Sequence, residues 1–171
     1  MALTEAVGTL TAAFERIAAT RMAGLPMNNP ALHVAAVDFR PWHEEYLVGV
    51  LITPWTINLM LLGDKTSNDL RLTADCRRTW DFPSGSYDFM GGEEPECGAF
   101  QFCSLFSPTF EFPDQGSAEA TAREIMGALL VGASSGVVDE REAARISGRS
   151  VMQAQTSRRA FLQGLFGGQK A

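Results

Sequence analysis

Residues 46–62 read YLVGVLITPWTINLMLL, and they decide the fold because they contain the longest apolar stretches of the chain. The two halves, 46–53 and 57–62, are rich in Val, Ile and Leu, as buried strands are. Pro54, Trp55 and Thr56 separate them, and the proline removes a backbone donor at that point. The pattern predicts two paired central strands that are joined at a tight corner and supply most of the β core.

Three further strands are predicted on either side of this pair. In 32–39, apolar residues alternate with the intervening positions, and Pro41 is expected to end that strand. Two shorter strands are predicted at 86–90 and 99–105. In the last of these, alternation places Phe100, Phe102 and Ser104 on one face, and Gln101, Cys103 and Leu105 on the other.

Helices are predicted before and after the strands. Apolar residues from Leu3 to Ala18 recur at three- and four-residue steps, which predicts an amphipathic helix that ends near Gly24 and Pro26. Ser117 is the predicted N-cap of a second amphipathic helix. A third, more charged helix is predicted at 139–146.

Strands gathered in the middle of the chain, with helices at both ends, predict the α+β class. We expect one compact domain, 1–147, with an antiparallel or mixed sheet on which the N-terminal helix and the C-terminal helices pack. The chain has 171 residues, of which 46% are hydrophobic, enough for a core without disulfide or metal staples. Residues 148–171 are predicted to form a flexible basic tail.

Composition excludes several classes of protein. The net charge is -6, and the basic residues form no stripe with interleaved aromatics, so no nucleic-acid partner is expected. No apolar run reaches the ~20 residues that span a bilayer, and the N-terminus lacks the features of a secretory signal, so the protein is not expected to be membrane-embedded. Three cysteines make a poor disulfide framework, which favours the cytoplasm.

Three motifs carry a resemblance to a known family. They are Ile52-Thr53-Pro54-Trp55, then Pro83-x-Gly85-x-x-x-Phe89-x-x-Gly92-Glu93, then Cys103-Ser104-Leu105-Phe106-Ser107-Pro108. The chain resembles the HybE type of NiFe-hydrogenase assembly chaperone, also called the HupJ or HoxT type. The resemblance lies in the order of these motifs, in the leading helix and in the ending, Arg158-Arg159-Ala160-x-Leu162-x-Gly164. The chain departs from that pattern at 64–69 and 131–150.

The resemblance implies a function that composition does not show. It implies a maturation protein without enzymatic activity or cofactor that binds the precursor of the hydrogenase small subunit, large subunit or both. It also implies proofreading of a twin-arginine signal peptide and protection of iron-sulfur assembly before export. The residues expected to contact the client are Thr53, Pro54, Trp55, Pro83, Gly85, Phe89, Gly92, Glu93, Cys103, Ser104, Leu105, Ser107, Pro108, Arg158, Arg159, Phe161 and Leu162.

The residues themselves leave alternatives at each motif. Trp55 suits a recognition surface at a strand corner, or a core position that locks a hairpin. Gly85 and Gly92 are expected at turn positions with positive φ, with Phe89 pointing to the core between them. The acidic residues 93–96 either meet the arginines of an export signal or form a solvated turn.

The cysteines and the tail carry two further hypotheses. Cys103 and Cys97 suggest an alternative function, a redox or iron-sulfur protection factor. Cys103 is equally compatible with a packed, neutral thiol. A dedicated zinc site is not expected, because the sequence lacks clustered ligands. Residues 157–163, SRRAFLQ, resemble the centre of a twin-arginine signal. They either occupy the chaperone's own groove or form a basic segment whose Phe161 and Leu162 pack on the body.

Overall fold

The computed structural model describes residues 2–131, and it confirms the predicted α+β class. Its elements, in chain order, are α1 (Leu3–Ala19), β1 (Ala35–Trp42), β2 (Tyr46–Ile52), β3 (Ile57–Leu62), β4 (Arg77–Phe82), β5 (Gly85–Glu94), β6 (Gly98–Phe106) and α2 (Gln115–Leu130). Neither of these two helices is long and apolar enough to cross a membrane. The predicted third helix and the predicted tail lie outside the described residues.

The strands form one sheet in the order β1-β2-β3-β6-β5-β4. The pairs β1/β2, β2/β3, β3/β6 and β5/β6 are antiparallel, so of the two predicted alternatives, an antiparallel or a mixed sheet, the first is confirmed. The register of β2 and β3 runs from Leu47 opposite Leu62 to Ile52 opposite Ile57. The tight corner predicted at 53–56 therefore closes the central hairpin without a long loop.

One face of the sheet packs against α1. The apolar side of the helix meets side chains that alternate along the central strands, and the rings of Phe14 and Phe100 lie 5.9 Å apart. The buried residues of this cluster are Ala6, Leu10, Ala13, Phe14, Ile17, Val34, Leu47, Leu51, Met60, Leu62 and Phe100. Burial of this stripe follows from the three- and four-residue spacing of apolar residues in α1.

The bounds predicted for β1 were wrong, and one strand, β4, was missed. Pro41 does not end β1, because β1 lies at the edge of the sheet, where a missing backbone donor breaks no ladder. Instead, the register of β1 shifts between Val37 and Arg40, and Asp38 takes a φ of 54° there. β4 was not predicted, since its residues are mostly exposed and show no apolar alternation.

The predicted N-cap of the second helix was also wrong. α2 begins at Gln115, and the Asp114 carboxylate accepts a hydrogen bond from the backbone N–H of Ser117 at 2.7 Å. Asp114 is therefore the capping residue, and Ser117 supplies the third backbone donor of the helix. The hydrogen bond lowers the pKa of the Asp114 carboxyl, because it stabilises the charged form.

Two compact units are distinguished within the chain. Residues 2–78 and 88–123 form the larger unit, and 79–87 and 124–131 are the described part of the smaller one. In the smaller unit, the backbone N–H of Ser84 donates to the Leu129 carbonyl at 3.3 Å, and the hydroxyls of Ser84 and Tyr87 are hydrogen-bonded. The rings of Phe82 and Tyr87 meet edge to face.

Gly49→Ala is expected to destabilise the protein. A Cβ at Gly49, in the middle of β2, would lie 2.3 Å from Cγ of Phe39 on the neighbouring strand, so the ring must leave its position on the α1 face. We expect a loss of about 1–3 kcal/mol in the free energy of unfolding, measured by urea denaturation. Gly8→Ala in α1, where a Cβ meets nothing within 4 Å, is the control and should gain about 1 kcal/mol. Equal effects of the two substitutions would contradict this packing.

Candidate functional site

A buried asparagine in the segment that follows α1 joins the first sequence motif to the residues that follow the third. The side-chain amide of Asn29 donates to the carbonyls of Thr109 and Phe112, both at 2.9 Å. Its backbone N–H donates to the Pro54 carbonyl at 2.7 Å, and the Thr109 hydroxyl donates to that same carbonyl. Three chain segments that are distant in sequence therefore converge at the β2–β3 corner.

The corner itself is held by its two threonines. The backbone N–H of Thr53 donates to the Thr56 carbonyl at 2.9 Å, and the backbone N–H of Thr56 donates to Thr53 Oγ1 at the same distance. Thr53 is fully buried, so its hydroxyl serves the turn and is not available to a ligand. Pro54 and Trp55 are the outermost residues of the turn and are each partly exposed.

Apolar side chains are exposed beside these hydrogen bonds. Met27, two residues before Asn29, is 44% exposed, and Phe110, adjacent to Thr109, is 56% exposed. Trp55, adjacent to Pro54, packs partly against the α1-face core and leaves the rest of its ring outside. We call Met27, Trp55 and Phe110 the corner patch. Trp55 therefore contributes to the core, as one of the two interpretations expected, and its role in recognition stays a prediction.

The third motif runs from a buried strand into this corner. Cys103 is buried, whereas Ser104 and Leu105 are partly buried, and Ser107 and Pro108 are exposed. Phe106 ends β6 opposite Ile57 and is buried, with its ring packed against that of Phe112. The motif therefore provides structural residues at its start and surface residues at its end.

The second motif lies within and just before β5. Phe89 is fully buried, as predicted, and Gly85 has a φ of 147° after the exposed Pro83. The prediction for Gly92 was wrong, since it lies inside β5 and not at a turn. A Cβ at Gly92 would meet the Phe100 ring at 2.4 Å, so close packing explains the glycine.

The acidic residues that follow are paired within the chain. Arg16 of α1 donates to Glu94 at 2.8 Å and also pairs with Glu96, while Arg21 pairs with Glu94. Glu93, the one residue of this group that was assigned to client contact, pairs with Arg71 at 2.6 Å. Glu94 and Glu96 are thus paired with arginines of the same chain, and Glu93 forms an exposed ion pair.

The two cysteines of the alternative hypothesis are not brought together. Cys103 pairs with Leu59 on the face opposite α1, whereas Cys97 packs at the border of the α1-face core. Burial, with the nearby carboxylates of Glu94 and Glu96, raises the pKa of the Cys97 thiol to about 11. At neutral pH this thiol is protonated, which makes it a weak nucleophile. Within residues 2–131, no group of three or more His, Cys, Asp or Glu side chains is placed to hold a metal ion.

Sequence reasoning missed several residues of the site and could not assess others. Asn29, Met27 and Phe110 lie outside the three motifs, and the only signal for the first two was the run of turn-forming residues from Pro26 to Pro30. The ion pairs of Arg16 and Arg21 with Glu94 were not predicted, because they join residues more than 70 positions apart in sequence. The tail residues Arg158, Arg159, Phe161 and Leu162 lie outside the described residues.

Comparisons with known proteins agree with the motifs. A family model described as NiFe-hydrogenase assembly, chaperone, HybE matches residues 5–164. The chain is 43% identical over 132 residues to Protein HoxT of Cupriavidus necator, which covers 70% of this chain and 73% of that protein. It is 34% identical over 155 residues to the hydrogenase expression/formation protein HupJ of Bradyrhizobium diazoefficiens, covering 91% of this chain and 85% of that protein.

A solved structure shows the same fold. The solution structure of HybE from Escherichia coli superimposes with a TM-score of 0.58 and covers 74% of this chain and 77% of that one. The sequence identity between the two is 24%, so the likeness concerns the fold.

Asn29→Ala is expected to destabilise the corner. The substitution leaves the buried carbonyls of Thr109 and Phe112 without their donor, which costs about 2–3 kcal/mol in the free energy of unfolding. Urea denaturation followed by far-UV circular dichroism measures the loss. The control is Asn68→Ala on an exposed loop, for which we expect a change within about 0.5 kcal/mol. A loss no larger than that of the control would show that Asn29 does not hold the three segments together.

Arg16→Gln is expected to weaken the acid dependence of stability. The Arg16 guanidinium holds the pKa of the Glu96 carboxyl at about 2, below its ordinary value of 4.5. Because the folded pKa lies below the unfolded one, this pair stabilises the fold above pH 4.5, and the contribution is lost as the pH falls towards 2. The urea midpoint of the wild type should therefore fall more steeply over this interval than that of Arg16→Gln.

The matched control for this experiment is Arg123→Gln. It removes the exposed pair between Arg123 and Glu119 on α2, whose atoms are 3.4 Å apart. Exposed pairs of this kind contribute little, so the control should follow the wild-type profile. Parallel profiles for the wild type and Arg16→Gln would contradict the proposed effect of Arg16 on Glu96.

Proposed function

The chain belongs to the HybE family of NiFe-hydrogenase assembly chaperones, and on that premise we propose that it captures an immature hydrogenase subunit through the corner patch. The single observation that carries the proposal is the exposure of Met27 and Phe110, with the partly exposed Trp55, next to residues fixed by buried hydrogen bonds. Capture ends when the metal centres of the client are complete and export begins.

The physical character of the patch supports this proposal. A tryptophan and a phenylalanine supply large contact area at low cost in side-chain entropy, and aromatic residues are enriched at binding hot spots. Met27 adds an unbranched, polarizable side chain that adapts to partners of different shape. The backbone beneath them is held by Asn29, so the surface is ordered before the client arrives and little entropy is lost on binding.

The proposal requires no bond-making chemistry from this chain. Holding a partly folded client requires apolar area with a polar rim, and the family is one of chaperones. The alternative function through Cys97 and Cys103 has weaker support, because the two thiols face different sides of the sheet and Cys97 is protonated at neutral pH. We therefore assign the cysteines to packing.

We further propose that the client is the small subunit with its twin-arginine signal peptide, and that capture takes place in the cytoplasm. A secretory signal joins basic residues to an apolar run, and the apolar run is the kind of segment that the corner patch fits. Binding there would keep the signal from the export machinery while iron-sulfur assembly proceeds.

Phe110→Ser is expected to weaken capture of the small-subunit precursor. The side chain is mostly exposed, so its loss should change binding more than folding. We expect the dissociation constant to rise about fivefold to thirtyfold, which corresponds to about 1–2 kcal/mol for one aromatic contact. Surface plasmon resonance with immobilised precursor measures the constant.

The matched control is Leu3→Ser, because Leu3 is also an exposed large apolar residue, 39% exposed, but it lies at the N-terminal end of α1. It should bind with wild-type affinity. A second measurement uses the same precursor without its signal peptide, for which we expect binding to be lost. The proposal fails if Phe110→Ser and Leu3→Ser bind equally well, and the assignment to the signal fails if its removal has no effect.

A further inference from the structure

Residues 20–28, which follow α1, are anchored by polar contacts at both ends and packed on the core through Met22. At the first end, Arg21 pairs with Glu94, whose side chain is 10% exposed. At the other end, Asn29 is held to the β2–β3 corner. Between these anchors none of the nine residues is buried, and the backbone hydrogen bonds of Met22, Ala23, Leu25 and Asn28 all have acceptors within 17–25. We call residues 20–28 the strap.

The position of the anchors shows which surface the strap crosses. Glu94 pairs with Gly98 at the start of β6, and the Pro54 corner adjoins the end of β6, so the strap runs along the α1 side of that strand. Met22 packs against the α1-face core together with Trp55 and Phe102. Phe102 is the cross-strand partner of Met90, and both are only partly buried.

The residues of the strap indicate which kind of segment binds to this surface. Its sequence from position 21 is RMAGLPM, one arginine followed by six uncharged and mostly apolar residues. The arginine meets a nearly buried carboxylate, and Met22 packs against the α1-face core, as Phe102 does. The strap is thus an internal example of a basic residue joined to an apolar run. In addition, the side-chain oxygen of Asn28 is buried and has no hydrogen-bond partner among the described residues. This unpaired oxygen raises the free energy of the conformation in which the strap lies on the sheet.

We propose that residues 20–26 of the strap lift from the α1 side of β6, while Met27 stays at the corner next to Asn29, and that a client segment of the same chemistry, a basic residue followed by an apolar run, takes their place. The client's cation replaces Arg21 at Glu94, and its apolar residues cover Phe102, Met90 and the exposed side of Trp55. This surface is continuous with the corner patch through Trp55. The inference rests on the proposed function for the identity of the client, but the opening of the strap is a property of this chain alone.

Methionine oxidation tests the opening without any client. Arg21→Gln removes the first anchor, and the full-length chain is treated with dilute hydrogen peroxide and analysed by peptide mass spectrometry. We expect Met22 and Met90 to oxidise about two- to fivefold faster than in the wild type, because the open population rises. Met27, already 44% exposed, and Met60, fully buried beneath α1, should keep their wild-type rates.

Arg71→Gln is the matched control, because it removes the ion pair of Glu93, the neighbouring carboxylate on β5, and leaves both anchors of the strap intact. It should leave all four oxidation rates unchanged. Wild-type rates for Met22 and Met90 in Arg21→Gln would overturn the inference. An equal acceleration of Met60 would overturn it as well, since that result means general loosening of the fold.

A second arm adds the small-subunit precursor to the wild type and to Arg21→Gln. Binding should accelerate the oxidation of Met22 and slow that of Met90 in the wild type, and Arg21→Gln should bind the precursor about two- to fivefold more tightly. If the precursor binds both forms equally, the strap inference fails and the proposed function stands. If it binds neither form, the proposed function fails, while the oxidation rates still decide whether the strap opens.

Discussion

The position of the corner patch depends on the hydrogen bonds of one buried side chain, Asn29. Asn29 is 5% exposed, and a buried amide without partners costs more than a hydrogen bond contributes. Its donors reach two carbonyls of the segment after β6, and its backbone reaches the β2–β3 corner. Any displacement of these three segments relative to one another leaves polar groups unpaired. The corner patch is therefore a fixed surface, although it is built from loops.

Local pattern predicted most of the fold. The bounds of β2 and β3 and the buried stripe of α1 follow from the spacing of apolar residues, which depends only on neighbours in sequence. The misses have non-local causes. Pro41 lies within a strand because that strand is at the sheet edge, and β4 is a strand without an apolar face. Neither fact can be inferred from a short window of sequence.

The motifs identified the family, but they contain both residues that stabilise the fold and residues that lie at the surface. Thr53, Phe89 and Cys103 are buried and serve the fold, whereas Trp55 and Pro108 reach the surface. A pattern of residues alone does not separate the two, because packing and recognition restrict the same residue types. Asn29 escaped prediction for a further reason: its side-chain partners are 80 and 83 residues away in sequence. Only the fold brings them together.

Because Glu94 is already paired with Arg21, a client's cation can bind Glu94 only by replacing that arginine. Exchange of Arg21 for a client's cation replaces one ion pair at Glu94 by another, so the electrostatic free energy of the exchange is small. The apolar residues beside the cation then decide the affinity, through the area that they remove from water beyond what the strap covers. A closed strap also keeps Met90 and Phe102 from making an exposed apolar patch, which would favour aggregation when no client is present. The strap therefore has two effects. It favours clients with a long apolar run, and it protects the chaperone from aggregation when no client is bound.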